Sequence, residues 1–437
     1  MRYWAAHALL PSGPARDVSF EIAHGRFTEV TAATEPGGAQ RLAGVVLPGL
    51  ANGHSHAFHR ALRGRTHAGG GTFWSWREQM YAVADRLDPD SYLALARALY
   101  AEMVLAGITT VGEFHYLHHA PGGVRYADPN AMAEALRQAA ADAGIRLTLL
   151  DTCYLAGGLD SDGYRPLSVR QLRFSDGDAQ RWATRVADLR PSAGMRVGAA
   201  LHSVRAVPAD DLATVAGLSP AAPLHAHLSE QAAENAGCLA FHGLTPTALL
   251  NAHGLLGPRT TVVHATQLSG TDIATLGRAA VTACICPTTE RDLADGIGPA
   301  RRLLDAGARL SLGSDQHAVV DLLREACALE MDERLASGQR GRFSPAELLT
   351  TLTDHASLGW DDAGRLAVGA RADLVAVRLD SPGTAGSRPE QVMLSASAAD
   401  IGTVIADGRV LVRDGQHVLG DVGRLLESAI TPLWPGR

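Results

Sequence analysis

The stretch LPGLANGHSHAFHRALRGRTH, Leu47 to His67, places two histidines one residue apart directly after a short apolar run. Side chains of an extended chain repeat every two residues, so His54 and His56 project to the same side and one ion can take both imidazoles. A zinc site typically draws two or three further donors from elsewhere in the fold. In a chain of 437 residues with 18 histidines the pair alone is a weak signal. Its meaning depends on what the rest of the sequence brings to the same place.

Outward from that stretch, short apolar, β-branched runs alternate with longer Ala/Leu/Arg-rich segments of helical spacing, the pattern of β-α units around a parallel sheet. Eight such runs start at Leu42, Gly107, Ile145, Met195, Pro223, Thr260, Ala279 and Ala308. Eight strands close a barrel. Asp88 with Pro89 predicts a helix start, and Gly107 its stop. Both ends of the chain read differently: RYWAAHALL, DVSFEIAHGRFTEV, ADLVAVRLD and TVIADGRVLVRDGQHV are strand-like, broken by Gly/Asp turns and followed by no long helix. The expected fold is α/β, a (β/α)8 TIM-like barrel over residues 47–365, with a small β-sandwich built from residues 1–46 and 366–437.

Composition narrows the chemistry. Hydrophobic residues make up 46% of the chain and charged residues 19%, which excludes a disordered polymer, and no window approaches the roughly 18 apolar residues of a membrane span. The N-terminus lacks a signal-peptide core, so a cytoplasmic location is expected. A net charge of −7 without a basic block argues against nucleic acid or membrane as partner. Five scattered cysteines predict buried thiols, with Cys284 and Cys286 in the core. All 39 basic residues are arginine; without lysine, Schiff-base chemistry and a carboxylated-lysine bridge between two metals are excluded.

Active sites of such barrels lie at the carboxyl ends of the strands. His54 and His56 follow the first run, His202 ends the fourth, His227 ends the fifth with Glu230 three residues later, His264 ends the sixth and Asp315 the eighth. Three imidazoles and a carboxylate with an open position for water describe a catalytic zinc site.

The ordered set His-x-His, His-x-x-Glu, His and Ser-Asp resembles the amidohydrolase superfamily, as does GRLAVGARADLVAV near the C-terminus. NGHSHAFHRALRG, TFWSWREQMY, GEFHYLHH, LHSVRAV and HAHLSEQ resemble the N-formimidoyl-L-glutamate deiminase family within it. The resemblance implies that His54, His56, His227 and Asp315 bind one divalent ion, zinc or another that accepts these donors, in a homodimer. It implies hydrolysis of N-formimidoyl-L-glutamate, a small dicarboxylate, to N-formyl-L-glutamate and ammonia in histidine degradation. Asp315, Glu230 and His264 are then the catalytic residues, with either Asp315 or Glu230 taking the first proton. Arg77, Tyr116, His202 and Arg205 are the implied substrate-binding residues, joined by His59 where some relatives carry glutamine. His118 and His119 read as loop residues and His317 as a residue at the mouth. Two other readings stay open: a deaminase of a purine, pterin or other heterocycle, and a non-catalytic barrel used as a scaffold.

Overall fold

The computed structural model describes residues 1–67, 73–218 and 221–434. Eight parallel strands form the barrel: Leu50–Ser55, Ile108–His115, Arg146–Cys153, Met195–Leu201, Leu224–Leu228, Thr260–His264, Thr282–Ile285 and Arg309–Leu312. The last meets the first through two backbone hydrogen bonds, Asp315 N–H to His54 O at 3.0 Å and His56 N–H to Asp315 O at 3.2 Å. Closure of the barrel thus brings His54, His56 and Asp315 together, although some 260 residues separate them. Every residue of the second and third strands is buried. Such strands are covered by the barrel interior on one side and by helices on the other, so even polar residues such as Thr110, Glu113, Thr148 and Asp151 are buried in them.

The helix Pro89–Leu105 illustrates the outer layer. The Asp88 carboxylate accepts the Ser91 N–H at 2.8 Å and the Ser91 hydroxyl accepts the Asp88 N–H at 2.9 Å, a reciprocal cap of the first turn. The chain leaves through Gly107 at φ +80°, a left-handed conformation that glycine adopts without strain. Among the described residues no helix is long and apolar enough to cross a membrane.

The two ends of the chain fold together beside the barrel as an eight-stranded mixed sheet, consistent with the small sandwich expected. Its halves join where Gln40–Pro48 pairs antiparallel with Leu374–Val377. The run from Leu42 therefore belongs to this sheet, and the first barrel strand begins only at Leu50. Pro48 has no N–H to give to a ladder and separates the two strands within one apolar stretch. At Gly49 a Cβ would meet Thr109 Oγ1 at 2.3 Å, so only glycine passes there.

A buried ion pair ties this sheet to the barrel. Arg146, which opens the third barrel strand, reaches Asp373 with both terminal nitrogens, one of them 3.1 Å from Oδ1, and both side chains are 2% exposed. Asp407 Oδ1 lies 3.1 Å from the same guanidinium. Removing one partner of such a pair leaves an uncompensated buried charge, a loss of about 3–5 kcal/mol. Asp373→Ala is expected at the lower end, about 3 kcal/mol, because Asp407 still faces Arg146. Urea denaturation checks this; an unchanged midpoint would show that the pair contributes nothing.

Candidate active site

Three histidines converge at the barrel mouth. His54 Nε2 lies 3.1 Å from His56 Nε2 and 3.1 Å from His227 Nε2, and the latter two are 3.3 Å apart. Asp315 Oδ1 sits 3.4 Å from both His54 Nε2 and His56 Nε2. Donors about 2.0–2.1 Å from a tetrahedral zinc ion are separated by about 3.3–3.4 Å, so this spacing suits one such ion.

The protonation states agree. His56 Nδ1 donates to the Phe114 carbonyl at 2.9 Å and His227 Nδ1 to the His202 carbonyl at 2.8 Å, which leaves both Nε2 lone pairs free. Burial pulls the His54 pKa down to about 3 and drives His56 and His227 below the ordinary value, so the rings are neutral at pH 7. Neutral lone pairs crowded at this distance repel one another unless a cation lies between them. Burial alone would raise the Asp315 carboxyl, but the surrounding histidines, His264 among them, hold it far below the usual range, as a carboxylate.

His264 differs from the other three rings. Burial disfavours its charge, yet Glu230, Glu290 and Asp315 surround it and raise its pKa well above the ordinary value. Its Nδ1 is 3.4 Å from Glu290 Oε1, and its Nε2 is 3.8 Å from Glu230 Oε1 and 3.7 Å from Asp315 Oδ2. The three carboxylates favour its protonated form, and the ring lines the mouth. His264 at φ +69° and Asp315 at φ +42° are left-handed, non-glycine residues, a strain of about 1–3 kcal/mol each that the packed mouth sustains.

One cavity gathers the other expected residues. His59, Arg77, Tyr116, His202 and Arg205 line it together with His56, His227, Glu230, His264 and Asp315. His59 Nε2 and the Tyr116 hydroxyl share a 2.9 Å hydrogen bond. The Arg77 guanidinium lies over the Tyr81 ring, 5.3 Å from its centroid. Arg205 Nη2 is 3.4 Å from Glu230 Oε2. Aromatic walls come from Trp76, Tyr154 and Phe174.

Comparison with known proteins decides the family. The model of the amidohydrolase family matches residues 45–411, most of the chain. The chain belongs to the amidohydrolase family. A second model, described as formimidoylglutamate deiminase HutF, N-terminal domain, matches residues 3–44. The chain of this amidohydrolase is 38% identical to the formimidoylglutamate deiminase of Pseudomonas aeruginosa over 95% of each chain, and is closely related to it. It is 30% identical to the 8-oxoguanine deaminase of the same organism over 85% of this chain and 83% of the other. The crystal structure of an amidohydrolase from Brucella melitensis superposes with a TM-score of 0.91 at 32% identity, covering 99% of each chain. The protein is thus a hydrolase, and an amidohydrolase with this donor set and no bridging lysine works with one divalent ion.

Some of the amidohydrolase site was not foreseen. Glu290, which faces His264, accepts the Cys286 N–H at 2.9 Å; applying the strand-end rule to the seventh strand, where Cys286-Pro287 begins a helix, would have found it. His317 does not line the cavity: it is fully buried, bonded through Nδ1 to the Ser314 hydroxyl at 3.0 Å and through Nε2 to the His56 carbonyl at 3.1 Å. His118 and His119 lie in the loop after the second strand, buried. His115, His118 and Asp151 form another group of metal-type donors, facing the helix Ala179–Val186. There Arg185 spans both Asp151 oxygens at 2.8 and 2.9 Å, so a guanidinium already neutralises that carboxylate. Cys284 and Cys286 pack with Val263 in the core, as expected.

Proposed function

We propose that this amidohydrolase hydrolyses N-formimidoyl-L-glutamate to N-formyl-L-glutamate and ammonia, with His54, His56, His227 and Asp315 holding a zinc ion. The observation that carries the reading is the pairing, in one cavity, of the metal donors with two arginines, a tyrosine and two further histidines. A guanidinium takes a carboxylate in a bidentate fork, and a glutamate derivative offers two carboxylates. The relationship to formimidoylglutamate deiminase supports the same substrate.

Bound there, the ion supplies a Lewis acid that brings a water molecule's pKa toward neutrality. The protein's own groups do the rest. Asp315 directs Oδ1 at His54 and His56 and keeps Oδ2 available to take a proton from water as its oxygen attacks the formimidoyl carbon. The His264 imidazolium donates to that oxygen and stabilises the developing charge. Both water protons end on the departing nitrogen: the one taken by Asp315 and, as the carbonyl forms, the one left on the attacking oxygen pass through Glu230, which lies between His264 and Arg205, so the C–N bond breaks and ammonia leaves. Arg77, Arg205, Tyr116 and His202 hold the carboxylates, and His59, tied to Tyr116, positions the formimidoyl group.

The aromatic walls and the relationship to 8-oxoguanine deaminase favour a heterocycle as the second reading. Ammonia release by metal-replete enzyme separates the two: turnover of N-formimidoyl-L-glutamate without turnover of aminopurines is expected, and activity on the heterocycles alone would reject the proposal. Arg205→Met is expected to raise KM for the dicarboxylate about 10- to 100-fold, the worth of a charged hydrogen bond. An unchanged KM removes Arg205 from the binding site.

A further inference from the structure

Beside the cavity, in a neighbouring cleft that Arg77 and Arg205 also line, lies a carboxylate that the mechanism does not use. Glu234 lies in the first turn of the helix Ala232–His242, after the fifth barrel strand, and is 0% exposed. Neither of its oxygens makes a hydrogen bond of ordinary geometry, although the Ser229 and Glu230 N–H groups face it. A buried carboxylate without a partner is destabilising by several kcal/mol, so a cation must answer it. That cation is Arg205, whose Nε lies 3.5 Å from Glu234 Oε2. The other end of the same guanidinium reaches Glu230, with Nη2 3.4 Å from Oε2. Arg205 therefore stands between two carboxylates, one behind it at Nε and one beside the reaction centre at Nη2.

We propose that Glu234 is a positioning residue for substrate recognition: it holds Arg205 by Nε so that the terminal nitrogens face the cavity, where a substrate carboxylate and Glu230 compete for them. This rests on the substrate reading above. The Glu234 contact lies on the far edge of the guanidinium and persists when substrate binds. An arriving carboxylate replaces Glu230 on Arg205, so binding of a correctly charged substrate frees the Glu230 carboxylate to relay the water protons to the departing nitrogen. A substrate lacking that carboxylate leaves Glu230 engaged. With the Glu234 charge gone, Glu230 is the anionic partner left to Arg205, and the substrate competes less well.

Glu234→Gln is expected to raise KM for N-formimidoyl-L-glutamate about tenfold while kcat changes less than about threefold, and Glu234→Asp to recover most of the loss. Two shortened substrates sharpen the test: N-formimidoyl-4-aminobutyrate lacks the α-carboxylate and N-formimidoyl-2-aminobutyrate lacks the side-chain carboxylate. Arg205→Met identifies the one whose KM no longer depends on Arg205, and Glu234→Gln must be silent on that same substrate. Equal KM effects on both shortened substrates, or no effect on the dicarboxylate, would overturn the proposal. Should wild-type enzyme fail to turn over the dicarboxylate, the functional reading falls by itself. Calorimetric binding of N-formyl-L-glutamate to the holoenzyme then decides for Glu234: weaker binding by Glu234→Gln supports its role, whereas equal binding, or none by the wild type, ends it.

Discussion

Asp315→Ala is expected to abolish turnover, with kcat lowered by at least about 10³-fold. Two losses coincide in that single side chain. Oδ1 completes the donor set at 3.4 Å from His54 and His56, and without it three neutral imidazoles remain to hold a dication. Oδ2, 3.7 Å from His264, is the oxygen that in the proposed mechanism accepts a proton from water. Steady-state kinetics and metal analysis of the dialysed variant report the two losses separately. Asp315→Asn distinguishes them further, since its amide oxygen can still donate a lone pair but cannot take the proton: metal content is expected to survive better than activity. Wild-type kcat in Asp315→Ala would remove the residue from the chemistry.

Glu230→Gln is expected to lower kcat about 10²- to 10⁴-fold, the usual contribution of a positioned proton-transfer group. Here the direction of KM is informative. Glu230 occupies one end of Arg205, so its neutral isostere leaves the guanidinium freer for a substrate carboxylate, and KM is expected to stay level or fall. A rise in KM with unchanged kcat would instead make Glu230 a binding residue. The metal donors lie elsewhere in the cavity, so the ion content of this variant should match that of the wild type.

The parts of the site legible in sequence share a physical reason. His54 and His56 were readable because a strand's two-residue repeat fixes which side chains share a face. His227 and His264 were readable because both lie at or beside the ends of barrel strands, where side chains converge on the mouth. Asp315 was found although its strand stops at Leu312, since the Ser-Asp pair occupies the point where the eighth strand closes on the first. What escaped depends on contacts between segments that no local pattern links. A single apolar stretch before His54 hides two strands of different sheets, because only pairing with Arg2–Leu10 and Leu374–Val377 assigns Val45 to Leu47 to the terminal sheet. Glu234 and Glu290 sit in helices after their strands, where a carboxylate ordinarily reads as a solvated surface residue. Their burial is set by Arg205 and His264, which arrive from other strands. His317 alternates with Asp315 in sequence, yet its left-handed backbone at φ +62° and its bond to the His56 carbonyl hold it out of the cavity.

The central claim, that donors from the first, fifth and eighth strands meet around one ion, is tested most directly by metal stoichiometry after exhaustive dialysis. Wild-type protein is predicted to retain one divalent ion per chain, and the His54→Ala/His227→Ala double variant none. Two ions per chain in the wild type, or a full equivalent still held by the double variant, would contradict the account.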